Sequence, residues 1–392
     1  MGRLGLCFVA TMSVAGTDIR GEEIRLPYAP AEPNFAIPAS EGLHSVGVRG
    51  FAWVDESRAA TARSDTKEYR EVAVQVWYPA TVDDADRPAL YFPDLDEMLM
   101  AAESLPAEEQ RFVRAHAVLG NTATNSVPGA RILESGQRWP VILFSPGGNV
   151  SRHAQTALAE RMASRGFVFV SMSHPYSTID VTPRTGFSMS IDWGLDLEDA
   201  LAANEADNRL ADVLAGDAAF ALHQLRTLAA TDDSLADALN LEDVGILGHS
   251  RGGTTVGHAC ATNPDIVACA VIDNIGPNRE RQTGIKQPFM TLRSGWGEER
   301  VAELHDYLKR TGSVAYDVEL AHSNHFSCTD LPLFISDLRV EGIDPVTGID
   351  ACSDILVNFF DAYLKQQTSP PDGPWLPSIR SDDVKITKFR AR

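Results

Sequence analysis

The run Val244-Gly245-Ile246-Leu247-Gly248-His249-Ser250-Arg251-Gly252-Gly253, continued by the small-residue stretch Thr254 to Thr262, decides the reading of this chain. Apolar residues of strand character stop at a glycine, and a helical pattern starts a few positions later. A Gly-x-Ser-x-Gly segment between a buried strand and a helix forces a sharp turn, with glycines where a Cβ would block the approach of helix to strand. Such a turn lifts the Ser250 hydroxyl to the carboxyl end of a parallel sheet. The bare pattern also arises by chance in 392 residues, so its meaning rests on its surroundings.

Those surroundings alternate between strands and helices. Before the turn come strand Val141 to Phe144, helix Ala154 to Arg165, strand Phe167 to Met172 and a long helical region from Leu197 to Ala229. After it come strand Ile266 to Ile272, strand Pro288 to Leu292, helix Glu298 to Arg310, strand Val314 to Leu320 and a closing helix, Ala351 to Lys365. Strands separated by helices of this length predict an α/β fold, a mostly parallel central sheet flanked by helices on both faces, with its site at the carboxyl strand ends. The alternating segments Val46 to Val54 and Glu71 to Tyr78 predict antiparallel N-terminal strands at a sheet edge. A helical insertion, Asp94 to Ala117, and a polar loop, Leu119 to Arg131, follow them.

One domain over residues 40–367, with the insertion at about 94–131, accounts for this pattern; residues 368–392 read as a coil tail. Composition narrows the function. With 54 acidic against 34 basic residues, the net charge of -20 repels nucleic acid and anionic lipid surfaces. Asp196, Glu198, Asp199, Glu205, Asp207, Asp212 and Asp217 stand among alanines and leucines, the pattern of a solvated helix face. No apolar run is long enough to span a bilayer. Residues 1–20, with Arg3, the uncharged stretch Leu4 to Gly16 and Ser13-Val14-Ala15, resemble a signal peptide, so the chain is expected to be secreted or periplasmic, and cytoplasmic otherwise. Without Cys7 four cysteines remain, of which Cys328 and Cys352 are the first choice for a disulfide.

A serine hydroxyl is a weak nucleophile and needs a base to take its proton and a carboxylate to orient that base. The strand Ile266 to Ile272 ends in Asp273, which places a carboxylate at the sheet's carboxyl edge. The rival is Glu298, after the next strand, in a turn with no aspartate and at a position suited to the first turn of a helix; Asp273 is favoured. The last strand runs into Ala321-His322-Ser323-Asn324-His325, so two histidines compete for the base. His249 and His258 read as packing residues, and His44, His116, His153, His174, His223 and His305 lack a strand-end context. The order Ser, Asp, His is that of the α/β-hydrolase fold. Backbone amides for an oxyanion are expected from Arg251 and from Gly148 in Ser145-Pro146-Gly147-Gly148-Asn149. No metal or other cofactor is called for.

From about residue 45 to 365 the chain resembles the secreted and bacterial platelet-activating factor acetylhydrolases. The marks are Val46-Gly47-Val48, Arg70-Glu71, Val76-Trp77-Tyr78-Pro79, Phe144-Ser145-Pro146-Gly147-Gly148, His174-Pro175-Tyr176 and the Ser250 turn. The resemblance implies Asp273 as the acid and, through a His-x-x-x-x-Asp stretch matching His325 to Asp330, His325 as the base, with His322 a neighbour. It implies a serine-dependent carboxylic ester hydrolase acting on short-acyl esters or phospholipids. Pro146 and Arg251 depart from the family, which commonly has histidine and an aromatic there, and Arg251 would suit an anionic or polar group beside the ester. The Ser-Pro-Gly loop and Cys328 also resemble cutinase-type polyester or aromatic ester hydrolases, which keep their acid one strand later. A non-catalytic binding protein on the same scaffold would be expected to lack one of the three residues. The insertion, the stretch His174 to Met189 and Trp296 are expected to shape the pocket.

Overall fold

A computed structural model describes residues 22–29, 35–40, 42–60, 68–136, 138–189, 200–231, 238–365 and 383–390. The leader-like residues 1–20, with Cys7, lie outside this set. Among the described residues the main sheet has 12 strands. Ten form a continuous path: β1 (Glu22–Ile24), β2 (Ser45–Ala59), β3 (Tyr69–Thr81), β4 (Trp139–Ser145), β5 (Val168–Met172), β6 (Leu239–His249), β7 (Ile266–Ile272), β8 (Phe289–Arg293), β9 (Val314–Leu320) and β10 (Val384–Arg390). Their spatial order is β1-β2-β3-β5-β4-β6-β7-β8-β9-β10. The middle strands from β5 to β9 are mutually parallel, whereas β1, β2 and β3 at one end and β10 at the other pair antiparallel.

The parallel strands read as unbroken apolar runs because both faces are covered. Along β4, Val141 and Leu143 pack toward α4 (Ala200–Ala229), α5 (Gly252–Thr262) and α6 (Glu298–Leu308), whereas Ile142 and Phe144 pack toward α3 (Thr156–Ser164) and α7 (Pro345–Leu364). The insertion forms its own small core. Its helices α1 (Leu95–Ala102) and α2 (Ala107–Arg114) bury Leu95, Met98 and Val113 with Phe92 and Ile179.

Two expectations change. The segment after Gln367 is not coil throughout, because β10 pairs with β9 from Val314↔Arg390 to Leu320↔Val384. Its Val384-Lys385-Ile386-Thr387-Lys388-Phe389-Arg390 sequence sets apolar residues among basic ones, as suits an edge strand that must resist further pairing. The acidic stretch is not simply a solvated face: Glu205 and Asp212 are exposed, but Asp217 is fully buried. Asp196, Glu198 and Asp199 lie outside the described residues.

The expected Cys328–Cys352 disulfide is present, and a second joins Cys260 to Cys269. The first ties the loop after β9 to α7 across 24 residues of chain. Closing a loop of that size in the unfolded chain stabilises the fold by about 3 kcal/mol. Replacing Cys328 and Cys352 together with alanine should therefore lower the unfolding free energy from urea melts by roughly that amount and move the midpoint to lower urea; an unchanged midpoint would show that the bridge constrains nothing.

Candidate active site

Ser250 sits where β6 turns into α5, with its backbone in the left-handed region at φ 53°. A serine there is strained unless its neighbours enforce the turn. They do so by close approach: a Cβ on Gly252 would stand 1.9 Å from the Ser145 carbonyl oxygen, and one on Gly248 would stand 2.3 Å from the Gly252 carbonyl oxygen. Only glycine permits this contact between helix and sheet. The Ser250 amide donates to the Ile272 carbonyl at 2.9 Å, which locks the turn to the end of β7.

Asp273, the residue after β7, is also left-handed at φ 56°, and its amide bonds the Leu292 carbonyl at 2.8 Å. Its Oδ2 accepts from His325 Nδ1 at 2.5 Å, and His325 Nε2 lies 2.8 Å from Ser250 Oγ. The structure thus brings Ser250, His325 and Asp273 into one hydrogen-bonded line. His322, at φ 56°, is exposed and not part of it. Glu298 is the first residue of α6, in its acidic first turn, and does not replace Asp273. Asp273 Oδ1 accepts from the Ser294 amide at 3.0 Å, Ser294 Oγ at 2.8 Å and Trp296 Nε1 at 2.7 Å. The turn before Glu298 thus supplies donors to Asp273. Burial alone would raise the Asp273 carboxyl, but the hydrogen bonds from His325 and Ser294 and the pull of His325 outweigh it and hold the group well below the usual carboxylate range.

His325 is framed by aromatic rings. The His249 ring lies 4.8 Å away between centroids, and His249 Nε2 donates to the His325 carbonyl at 2.8 Å. Burial, followed by the charge of His325, pushes His249 down to about 4, so it is neutral near pH 7 and more than packing. Phe326 meets the His325 ring edge-on at 5.2 Å. Asp330 fixes the far end of this loop by accepting from the Ala157 amide and from Tyr91 Oη at 3.1 Å.

The loop Pro146-Gly147-Gly148 passes in front of Ser250. A Cβ on Gly147 would lie 3.3 Å from Ser250 Cβ, and one on Gly148 would lie 2.5 Å from Arg251 Cζ, so the half-buried guanidinium rests against Gly148. Burial lowers the Arg251 guanidinium from its ordinary value. The Asn149 and Val150 amides are used by the Ser177 and Gly147 carbonyls. Among the described residues, the Gly148 amide has no such acceptor.

One expectation about the site is extended and one is corrected. Trp296 does not simply line a pocket; its indole donates to Asp273 while Arg300 stacks on it at 3.7 Å. His174 does have a strand-end context, two residues past β5, and its ring is buried between Asp217 and Ser145. A signal for Asp217 existed in the spacing Leu210, Leu214, Asp217, Ala221, which puts a carboxylate on the buried stripe of α4. Among the described residues, Asp94, His153 and Asp180 bring potential metal-ligand atoms within 4.8 Å of one another. The Arg152 guanidinium already bonds both carboxylates, so a divalent ion would have to displace a buried cation.

A serine, an aspartate and a histidine, each following a strand of one parallel sheet at its carboxyl edge in that chain order, is how α/β hydrolases are built. The chain belongs to that family: the α/β hydrolase fold profile matches residues 140–375. The profile of platelet-activating factor acetylhydrolase, isoform II, matches residues 29–182, which bears out the resemblance read from the sequence. A curated relative, a probable 1-alkyl-2-acetylglycerophosphocholine esterase of Arthroderma benhamiae, is 41% identical over 39 residues, 10% of this chain and 10% of the relative. Among solved structures, a ferulic acid esterase from Streptomyces cinnamoneus superposes with a TM-score of 0.71 at 20% identity, over 90% of this chain and 99% of that one.

Burial pushes the Asp330 carboxyl up to about 7 despite the Ala157 and Tyr91 bonds. The folded protein therefore holds a proton that the unfolded chain releases near pH 4, and this group's contribution declines as pH rises from about 4 to about 7. Asp330→Asn keeps an acceptor for Ala157 without the charge. Its stability relative to wild type should grow across that window in pH-dependent melts; a difference that stays constant from pH 4 to pH 8 would contradict this.

Proposed function

We propose that the protein is a metal-independent serine carboxylic-ester hydrolase working through an acyl-enzyme. The carrying observation is the Asp273–His325–Ser250 line, at 2.5 and 2.8 Å, ending on a left-handed turn. Ser250 Oγ attacks the acyl carbonyl as His325 Nε2 takes its proton. Asp273 keeps the Nδ1 proton in place and stabilises the imidazolium that forms. The amides of Gly148 and Arg251 receive the oxyanion. His325 then protonates the departing alcohol, and a water activated by the same nitrogen releases the acid and restores Ser250.

The substrate is a small-molecule or lipid ester with a short or aromatic acyl group. The names of the relatives support this class, since an acetylglycerophosphocholine esterase and a ferulic acid esterase both cleave carboxylic esters. The hydrogen bond of His325 to Asp273 speaks for the acetylhydrolase pattern over the cutinase type, whose acid lies one strand later. Among the described residues no helix is long and apolar enough to cross a membrane. Two disulfides support a secreted or periplasmic location, and the leader-like residues 1–20 agree with it.

Ser250→Ala should leave the melting temperature unchanged and reduce turnover of p-nitrophenyl butyrate by about 10³-fold or more. Asp273→Asn should cost about 10⁴-fold in kcat, whereas Glu298→Gln, at an exposed helix start, should stay within about a factor of two. Retained activity in Ser250→Ala, or the larger loss in Glu298→Gln, would refute the assignment.

A further inference from the structure

Behind the loop that faces Ser250 runs a second serine, histidine and aspartate line, wholly inside the protein. Asp217 Oδ2 accepts from His174 Nδ1 at 2.8 Å, and His174 Nε2 lies 2.7 Å from Ser145 Oγ. Ser145 and Asp217 are 0% exposed and His174 is 1% exposed, so no substrate reaches them. Ser145 Oγ also bonds Thr255 Oγ1 of α5 at 2.8 Å, and Ser145 lies directly before Pro146-Gly147-Gly148. A second tie, from the Asn149 amide to the Ser177 carbonyl at 2.9 Å, joins the same loop to the segment that carries His174.

The far end of the line is anchored by charge. Asp217 accepts from Arg70 Nε at 2.5 Å and Nη2 at 2.6 Å, and from Arg58 Nη1 at 2.9 Å; Arg58 in turn pairs with Asp55. Burial would raise the Asp217 carboxyl, but Arg70 and the hydrogen bonds outweigh it and keep it ionised. Burial likewise lowers His174. A neutral His174 with Nδ1–H on Asp217 accepts at Nε2; the single Ser145 proton serves Nε2 or Thr255 Oγ1, and both contacts hold the Ser145 side chain.

We propose that His174, oriented by Asp217, is a positioning residue for the oxyanion loop: through Ser145 it holds the Pro146–Gly148 backbone where the Gly148 amide meets the developing charge. Displacing an oxyanion donor weakens transition-state binding and leaves ground-state binding nearly intact. The inference rests on the proposed role of Ser250.

The test uses the full chain with two variants and their combination. Ser145→Ala removes one oxygen; His174→Asn keeps a donor for Asp217 but cannot reach Ser145. For p-nitrophenyl butyrate each should lower kcat by about tenfold to a hundredfold, less than outright loss of a donor, with little change in KM. The Ki of an aliphatic trifluoromethyl ketone, which Ser250 converts to a hemiketal oxyanion in the same hole, should rise in proportion to the loss in kcat/KM. The double variant should lose no more than the worse single one. A lower melting temperature with kcat per folded enzyme unchanged, or losses that multiply in the double variant, would overturn the inference. If Ser250→Ala retains turnover, the reading of the site fails first; if Ser250 is essential and Ser145→Ala keeps its kcat and Ki, only the role of His174 fails.

Discussion

The contact between Gly252 and the end of β4 governs this molecule. At 1.9 Å from a would-be Cβ to the Ser145 carbonyl oxygen, the start of α5 is pressed onto the strand beside its own. That approach holds the turn tight enough to keep Ser250 left-handed, and it sets the distance between the serine and the Pro146–Gly148 loop. Any side chain at Gly252 would separate Ser250 from the loop. Asp273 is held the same way one strand along, left-handed and with its amide on the Leu292 carbonyl. Strain is concentrated at the carboxyl edge of the sheet, where the surrounding packing can sustain it.

A net charge of -20 says little about the interior, where the carboxylates near the site are individually satisfied. Asp273 faces His325 and the donors of the Ser294–Trp296 turn; Asp217 faces two arginines and His174. The two lines flank the same loop, one ending at the partly buried Ser250 and the other at the fully buried Ser145. Both pair an ionised aspartate with an imidazole, and they differ in access to solvent: His325 is 38% exposed and His174 is 1% exposed. That difference leaves the His325 imidazole within reach of solvent and closes the His174 imidazole off from it.

Much of the fold was legible because its signals are local. The apolar run Val244 to Leu247 followed by glycines gives a strand, a turn and a helix without reference to distant residues, and the strand ending in Asp273 needs only its own pattern. The choice of His325 over His322 needed the family resemblance, since both follow β9. What escaped was nonlocal. Arg70 and Asp217 are 147 residues apart and meet only when α4 docks on the sheet. The C-terminal strand was hidden by the Ser/Pro-bearing segment before it, although its own residues alternate as an edge strand does. Trp296 read as a pocket residue because an indole nitrogen does not announce its acceptor.

If the fold makes one serine hydroxyl reactive, covalent labelling reveals it most directly. A fluorophosphonate probe added to the native protein, followed by peptide mapping, should place the phosphonyl group on Ser250, with labelling abolished by denaturation. Labelling of a different serine, or a native protein that remains unlabelled while a control serine hydrolase reacts, would contradict the account.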